Sequence, residues 1–533
     1  MPVKHLRKIR IGIAAIVFLT FLVMFLDIDV LALNPLSEIL LRLQIFPSLL
    51  RFFALFFTIS ALGFLLILIL TFLFGRVYCS ALCPLGILQD IITRIANLFK
   101  RKKSRRFSFR KNKKLILRYG ILTATLAFWV FGSLFLINLL DPYSNFGKIA
   151  VSFFQPLTIW INNTLAVIFE SQGSYLVTPL MVKTLPGDVV SVSAVIFLAI
   201  IIMAAFRGRL FCNSVCPAGS LLGLFSSRSV FQVAFREESC TLCGRCEWAC
   251  KAECIDSKQK TVDHGRCVSC FNCFSACKNQ GLTYKHFSLL KPASIATASQ
   301  PIAGTKADNT SKRRFLLTIT SALLGMPVLN KITIARASSQ PGMVPAGTNL
   351  PVTPPGSLSY DHFTGSCIAC YLCVSACPTN VIVPSFFDYG LEGFMQPKLD
   401  FHKSFCNYDC VRCTEVCPTG AITRQTRDSK HGIQIGVAKF IVESCIVTVD
   451  RTDCGACSEH CPTKAVDMIP YENGLFIPHV TPGLCVGCGA CEFACPTLPY
   501  KAIYVESNDL HMEAQRIEPG DGPRQAETDD FPF

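Results

Sequence analysis

Charge is scarce in this chain of 533 residues, with Asp, Glu, Lys and Arg together only 16%. Acidic charge is scarcest in the first 337 residues, where 14 Asp and Glu stand against 39 Lys and Arg, while residues 338–533 hold 22 against 12. With 51% hydrophobic residues, positive mean hydropathy and this length, the chain is neither an ordinary soluble protein nor a single domain. No Cys-x-x-Cys-His occurs, which excludes covalent haem attachment by that motif. The 29 cysteines do not suit a disulfide scaffold, because such scaffolds are short chains and most cysteines here fall in tight C-x-x-C-x-x-C runs. Few or no disulfides are expected.

Four stretches are apolar enough to cross a bilayer, which takes about 20 helical residues. They are Ile11 to Phe25, Phe52 to Phe74, Ile121 to Leu140 and Val189 to Phe206. The basic run from Lys100 to Arg118 reads as a solvated, lipid-facing loop on the cytoplasmic side, not as a nucleic-acid surface. The N-terminus and residues 207–314 then lie inside, and residues 141–188 outside. The sequence therefore predicts a polytopic α-helical membrane domain over 1–225.

Two cytoplasmic helix ends carry an internal repeat. Gly75-Arg76-Val77-Tyr78-Cys79-Ser80-Ala81-Leu82-Cys83-Pro84-Leu85-Gly86 aligns with Gly208-Arg209-Leu210-Phe211-Cys212-Asn213-Ser214-Val215-Cys216-Pro217-Ala218-Gly219, and six of twelve positions are identical. Cysteines four apart share a face if both lie on one helix, so each copy could offer two sulfurs to a common site. Packing by small residues is the alternative, since free cysteine behaves as a small hydrophobe.

Residues 226–290 hold Cys240, Cys243, Cys246, Cys250 and Cys267, Cys270, Cys273, Cys277 in the spacing of a two-cluster bacterial ferredoxin. In that pattern the fourth cysteine of each run ligates the other cluster. One 4Fe-4S cluster would use Cys240, Cys243, Cys246 and Cys277, and the second Cys267, Cys270, Cys273 and Cys250. Lys251 and Lys278 replace the usual following proline, and Cys254 is left as a packing thiol. Residues 338–510 hold four more runs, each ending in Cys-Pro. The same exchange pairs Cys367, Cys370, Cys373 with Cys417; Cys406, Cys410, Cys413 with Cys377; Cys445, Cys454, Cys457 with Cys495; and Cys485, Cys488, Cys491 with Cys461. The expectation is six 4Fe-4S clusters in α+β bacterial-ferredoxin-like domains, with structural zinc as the alternative.

Between the two cysteine-rich regions, residues 291–337 combine a linker with Ser311-Lys312-Arg313-Arg314-Phe315-Leu316, an apolar run to Leu329 and Ala335-Arg336-Ala337. This is either a twin-arginine-like export signal or a fifth transmembrane helix, and both place the C-terminal half outside the cytoplasm. Residues 511–533 read as an acidic tail.

The membrane repeat with its two-cluster domain resembles NapH, the quinol-oxidising partner of periplasmic nitrate reductase, and shares its motifs with NosR. The seam plus four clusters resembles NapG. The resemblance implies a bacterial inner-membrane protein of anaerobic respiration, a quinol dehydrogenase component drawing on the quinone pool. Its C-terminal domain would be periplasmic and its partner an exported terminal reductase or cytochrome. It also implies a menaquinol site at Cys79, Cys83, Cys212 and Cys216, with Asp90, Arg76 and Arg209 as possible helpers. The related accessory proteins of NosR type or of methylamine dehydrogenase imply the alternative, electron supply for maturation of an exported metalloenzyme.

Overall fold

The computed structural model describes residues 4–26, 35–54, 62–101, 105–109, 115–286, 350–498 and 500–516. The linker at 288–310, the signal-like seam at 311–337 and the tail beyond 516 lie outside these residues.

The apolar runs form helices whose limits are set by turn chemistry as much as by hydropathy. Helix α1 spans Lys4–Leu26. Of the expected stretch Phe52 to Phe74, the described residues belong to α3 (Ile45–Ala54), which follows α2 (Pro35–Arg42), and to α4 (Leu62–Phe74), residues 55–61 lying outside the described ones. Helices α5 (Val77–Ala81) and α6 (Pro84–Phe99) follow. Cys79 and Cys83 therefore do not share one helix. Pro84 has no N–H to give and its fixed φ suits the first turn of a helix, so a new helix starts there with Cys83 as its cap.

The expected stretch Ile121 to Leu140 is also two helices, α7 (Leu115–Val130) and α8 (Phe135–Leu140), broken at Gly132 with φ +84°. Residues 141–188, expected as an external loop, contain the long apolar helix α9 (Pro142–Ser171), with a π-helical segment at Ala150–Phe154. Its Asn, Gln, Ser and Thr residues dilute the hydropathy that would mark it in sequence. Helices α10 (Gly187–Arg207), α11 (Leu210–Ser214) and α12 (Pro217–Ser226) complete this half. Among the described residues three helices, His5–Leu26, Pro142–Ser171 and Gly187–Arg207, are long and apolar enough to cross a membrane.

The first cysteine unit is an α+β module in which β1 (Phe231–Phe235) pairs antiparallel with β4 (Leu282–His286), around the short hairpin β2 (Ile255–Asp256) and β3 (Thr261–Val262). The second unit has two halves. One carries β5 (Ile382–Pro384) against β6 (Pro397–Leu399). The other pairs β7 (Ile433–Phe440) with β10 (Ile503–Glu513) and β8 (Val466–Pro470) with β9 (Phe476–Val480). β10 runs past residue 510, so ordered structure extends into the expected tail.

The two units sit at opposite ends of α1. Its first turns touch the one-turn helix Asn272–Ala276 of the first unit, and its last turn meets Leu372–Ala376 of the second, where Ser375 Oγ donates to the Phe25 carbonyl at 2.8 Å. From Arg10 to Phe25 the helix rises about 22 Å. The start of α9 runs along the second unit: Ser144 Oγ donates to the Ile368 carbonyl at 2.6 Å, and Gln155 Nε2 lies 3.4 Å from Ser375 Oγ. At the other end, Gly75 and Gly208 stop α4 and α10 in the left-handed region, and a Cβ there would meet Ser269 Oγ at 2.8 Å or the Lys251 carbonyl at 2.6 Å. These glycines thus end the helices and let the first unit dock on them.

In the second unit His511 Nε2 lies 2.8 Å from Thr353 Oγ1, and burial lowers the imidazole pKa to about 4. The unfolded chain then binds the proton more readily, so stability is full above pH 6.5 and falls as pH drops from 6.5 toward 4. Between pH 7 and pH 5 the loss should be on the order of 2 kcal/mol. Chemical denaturation of the full chain at both values should show this loss, and His511→Gln should show a shallower pH slope; equal slopes would remove His511 as the cause.

Candidate iron-sulfur centres and the four-cysteine site

All 29 cysteines are free. Their loops are built on backbone geometry that residue identity conceals. In Cys240–Cys246, Cys267–Cys273, Cys367–Cys373 and Cys485–Cys491, the residues on both sides of the middle cysteine have positive φ: Leu242 and Gly244, Ser269 and Phe271, Ala369 and Tyr371, Gly487 and Gly489. For the side-chain-bearing residues this is a strained conformation that persists only where the surroundings enforce it. Alternating turns of this kind bend a short loop around a central group and aim successive N–H groups at it.

The structure brings the cysteines together in the crossed sets that the spacing suggests. Cys246 lies within electrostatic reach of Cys240 and Cys277, and Cys273 of Cys270, Cys267 and Cys250. Cys373 faces Cys367, Cys370 and Cys417, while Cys413 faces Cys406, Cys410 and Cys377. Cys457 faces Cys454 and Cys495, with Cys445 beside the same pair, and Cys491 faces Cys488, Cys485 and Cys461. Cys243 is the exposed member of its set.

Two sets line small cavities, the first bounded in part by Cys445, Cys454, Cys457 and Cys495, the second by Cys377, Cys406, Cys410 and Cys413. Among the described residues no three His, Cys, Asp or Glu side chains converge closely enough to hold a single ion. Four sulfurs spread around a central space fit a cluster better than they fit tetrahedral zinc. Burial pushes the Cys370, Cys457 and Cys488 thiols up to about 12, so loading a metal must expel their protons.

The sets also fall into a spatial order. Cys246 of one set neighbours Cys273 of the next, and Cys373 neighbours Cys413. The Cys406 N–H donates to the Cys488 carbonyl at 2.9 Å, and the helices Ala456–Glu459 and Ala490–Ala494 join the last two sets.

In the helical half, beside the first unit, lie Cys79, Cys83, Cys212 and Cys216, all buried and within electrostatic reach of one another. The two repeat copies exchange arginines. Arg76 Nη2 donates to the Cys212 carbonyl at 3.0 Å and lies 3.7 Å from Cys79 Sγ; Arg209 Nη1 donates to the Cys79 carbonyl at 2.6 Å and lies 3.9 Å from Cys212 Sγ. Cys83 and Cys216 cap α6 and α12, their sulfurs accepting the Gly86 and Gly219 N–H groups at 3.4 and 3.3 Å. Gln89 Nε2 adds a bond to Cys212 Sγ at 3.4 Å.

Asp90, named in sequence as a helper, accepts from Arg209 Nε at 2.8 Å and forms ion pairs with Arg10 and Lys251. A carboxylate held by three cations is a structural anchor and a poor proton acceptor. Sequence reasoning overlooks Asp141. Its side chain is buried, caps α9 by accepting the Ser144 N–H at 2.7 Å, and lies near Tyr78, which in turn neighbours Cys83. Nothing in its sequence neighbourhood marks it; only the packing of α9 on α6 brings it to the site.

Cys254, read in sequence as a packing thiol, packs against cysteines of the second expected set. Its Sγ lies 3.5 Å from Cys250 Sγ, and it also bonds Cys267. We expect Cys250→Ser to keep most of its cluster content because Cys254 can take the vacant corner, and Cys250→Ser with Cys254→Ser to lose one cluster. Iron and labile-sulfide assays on the two variants check this; equal losses would refute the substitution.

Comparison with known proteins agrees with the cysteine chemistry. Residues 56–106 and 191–234, the two arms of the repeat, match a family described as a 4Fe-4S binding domain. Residues 366–422 and 450–498 each match a 4Fe-4S dicluster domain. An uncharacterized protein of Methanocaldococcus jannaschii is 27% identical over 222 residues, 41% of this chain and 76% of that protein. The ferredoxin-type protein NapF of Escherichia coli is 28% identical over 26% of this chain and 75% of its own length. The methylamine utilization ferredoxin-type protein MauM of Methylobacillus flagellatus is 30% identical over 33% of this chain and 76% of its own length. No solved structure matches the chain. With crossed cysteine sets in both units and this likeness to MauM, the chain belongs to the ferredoxin-type 4Fe-4S electron-transfer proteins.

Proposed function

We propose that this chain is a membrane-bound quinol dehydrogenase component of NapGH type, taking electrons from menaquinol and delivering them through 4Fe-4S clusters to an exported oxidoreductase. The carrying observation is the ordering of the cysteine sets within each unit, Cys246 beside Cys273 in the first and Cys373 beside Cys413 and Cys406 beside Cys488 in the second, with both units seated on α1. When bound, the clusters supply one-electron uptake and release.

The chain's own residues provide the remainder. Exposed apolar side chains on several helices, among them Ile16, Leu19, Ile69, Ile116, Val195 and Leu198, suit a lipid environment and would be unusual in water. The basic loop rests on the first unit, with Arg106 4.1 Å over the Trp248 ring and the Phe107 N–H on the Trp248 carbonyl, which favours a cytoplasmic first unit. The second unit, at the other end of α1, is then external. Quinol oxidation releases two protons with its two electrons, and Asp141, a buried carboxylate beside Tyr78, is the candidate acceptor of one. The acidic C-terminal half favours docking on a basic partner surface.

A menaquinol analogue added anaerobically to the detergent-solubilised chain should reduce its clusters, as seen by electron paramagnetic resonance. Reduction by quinol should be lost in Cys79→Ser or Cys212→Ser while reduction by dithionite persists. The likeness to MauM favours a second reading, supply of electrons for maturation of an exported metalloenzyme. Clusters that reduce with dithionite but never with quinol in the unaltered chain would select it. Electron delivery to the partner should slow several-fold between low and physiological salt, and indifference to ionic strength would count against charge-guided docking.

A further inference from the structure

One face of a helical turn in α9 is pressed onto the loop that carries the first cysteines of the second unit. Ser144, Gly147 and Lys148 stand three and four residues apart along the helix and so share that face. Ser144 Oγ donates to the Ile368 and Ala369 carbonyls at 2.6 and 3.0 Å, and a Cβ on Gly147 would stand 2.1 Å from the Cys370 carbonyl. Lys148, fully buried beside this contact, donates from its ammonium to the Asn138 carbonyl and lies within electrostatic reach of Cys367 and Cys370.

A buried ammonium needs an anion nearby. Asp141 is a carboxylate within reach of Lys148, and it also caps α9. A second cation of the helical half faces the same cysteine set: Arg51 of α3 lies within electrostatic reach of Cys417, and its Nε stands 4.0 Å from where a Cβ on Gly420 would lie. That Nε has no hydrogen-bond partner among the described residues, and Glu38, a carboxylate within reach, is already paired with Arg42 at 2.5 Å. The Tyr143 hydroxyl, buried and likewise without a partner among the described residues, is within reach of Cys370, Cys373 and Cys417, where sulfur can accept it. The helical half thus turns two cations and a donor toward Cys367, Cys370, Cys373 and Cys417. The neighbouring set is faced by Lys430, which belongs to the second unit itself.

A cluster held by four thiolates is an anion, and an added electron makes it more negative. A fixed cation beside it, shielded from water, therefore stabilises the reduced form more than the oxidised one and raises the potential. We propose that Lys148 and Arg51 are the residues through which the helical half raises the reduction potential of the cluster at Cys367, Cys370, Cys373 and Cys417, so that electrons enter the second unit at that set. The entry role rests on the electron-transfer reading above, whereas the effect on the potential stands apart from it. Uptake is a one-electron reduction of iron(III) to iron(II), with the electron drawn from quinol in that reading and from dithionite in the test. No bond is made or broken. Both residues act through their charge and ligate nothing, so they are positioning residues for the transfer.

The test is a potentiometric titration of the full chain, purified anaerobically, with dithionite and mediators and with electron paramagnetic resonance as the readout. The signal of this cluster is the one that Cys417→Ser displaces. In Lys148→Met and in Arg51→Leu that signal should be reduced at least tenfold less readily, a downward shift of about 59 mV for one electron. The other signals and the iron content should stay as they are, and Arg51→Lys, which keeps the charge, should titrate like the unaltered chain. An unmoved signal in the charge-removing variants, a shift spread over all the signals, or the same shift in Arg51→Lys overturns the proposal. Arg51 is only half-buried, so Arg51→Leu decides if Lys148→Met does not assemble. Because no quinol enters the titration, its failure is separate from failure of the quinol reading, which is judged by quinol-driven reduction.

Discussion

The exchange of arginines between the two repeat copies is the constraint on which the architecture depends. Arg76 and Arg209 each reach the carbonyl of the other copy's first cysteine, and neither has water to fall back on. A guanidinium presents five donors in a fixed plane, so a buried one dictates where its acceptors must be. Those acceptors lie on α5 and α11, which fixes the two arms relative to each other. Asp90 ties Arg209 to Arg10 of α1 and to Lys251 of the first cysteine unit. A single carboxylate thereby joins the N-terminal helix, one arm of the repeat and a ferredoxin-type module, and losing it would leave several buried cations uncompensated.

Around this centre the molecule behaves as a spacer with a module at either end. α1 touches the first unit near Arg10 and the second near Phe25. The glycines at the base of α4 and α10 let the first unit approach closely, and the start of α9 cradles the second. Fixing the modules on a rigid helix matters for electron transfer because rates depend steeply on distance. A flexible tether alone, such as the one the linker composition suggests, would not set that distance.

Strain is concentrated in the cysteine loops. Ser269, Phe271, Ala369 and Tyr371 hold positive φ without being glycine, and a backbone in that region costs roughly 1–3 kcal/mol per residue. Two of these loops press against the helical half, one at Phe74 and the other at α9. The packing that holds the strained loops is thus the same packing that positions the modules.

The sequence by itself determined the chemistry: cysteine spacing is a local property, and it marks the crossed cluster sets, the repeat and the charge asymmetry without any folding. It also located most of the helices, since an apolar run declares itself residue by residue. It misjudged where chain direction and polarity intervene. Pro84 restarts a helix between Cys79 and Cys83, Gly132 breaks the stretch from Ile121, and scattered amides disguise α9. Only the tertiary structure decided which groups meet. Asp90 and Asp141 look alike in sequence, each a lone acid beside an apolar run. Packing surrounds the first with three cations and leaves the second as a helix cap near Tyr78. The physical reason is that a carboxylate's behaviour is set by charges and burial contributed from distant parts of the chain, which spacing along the sequence does not encode.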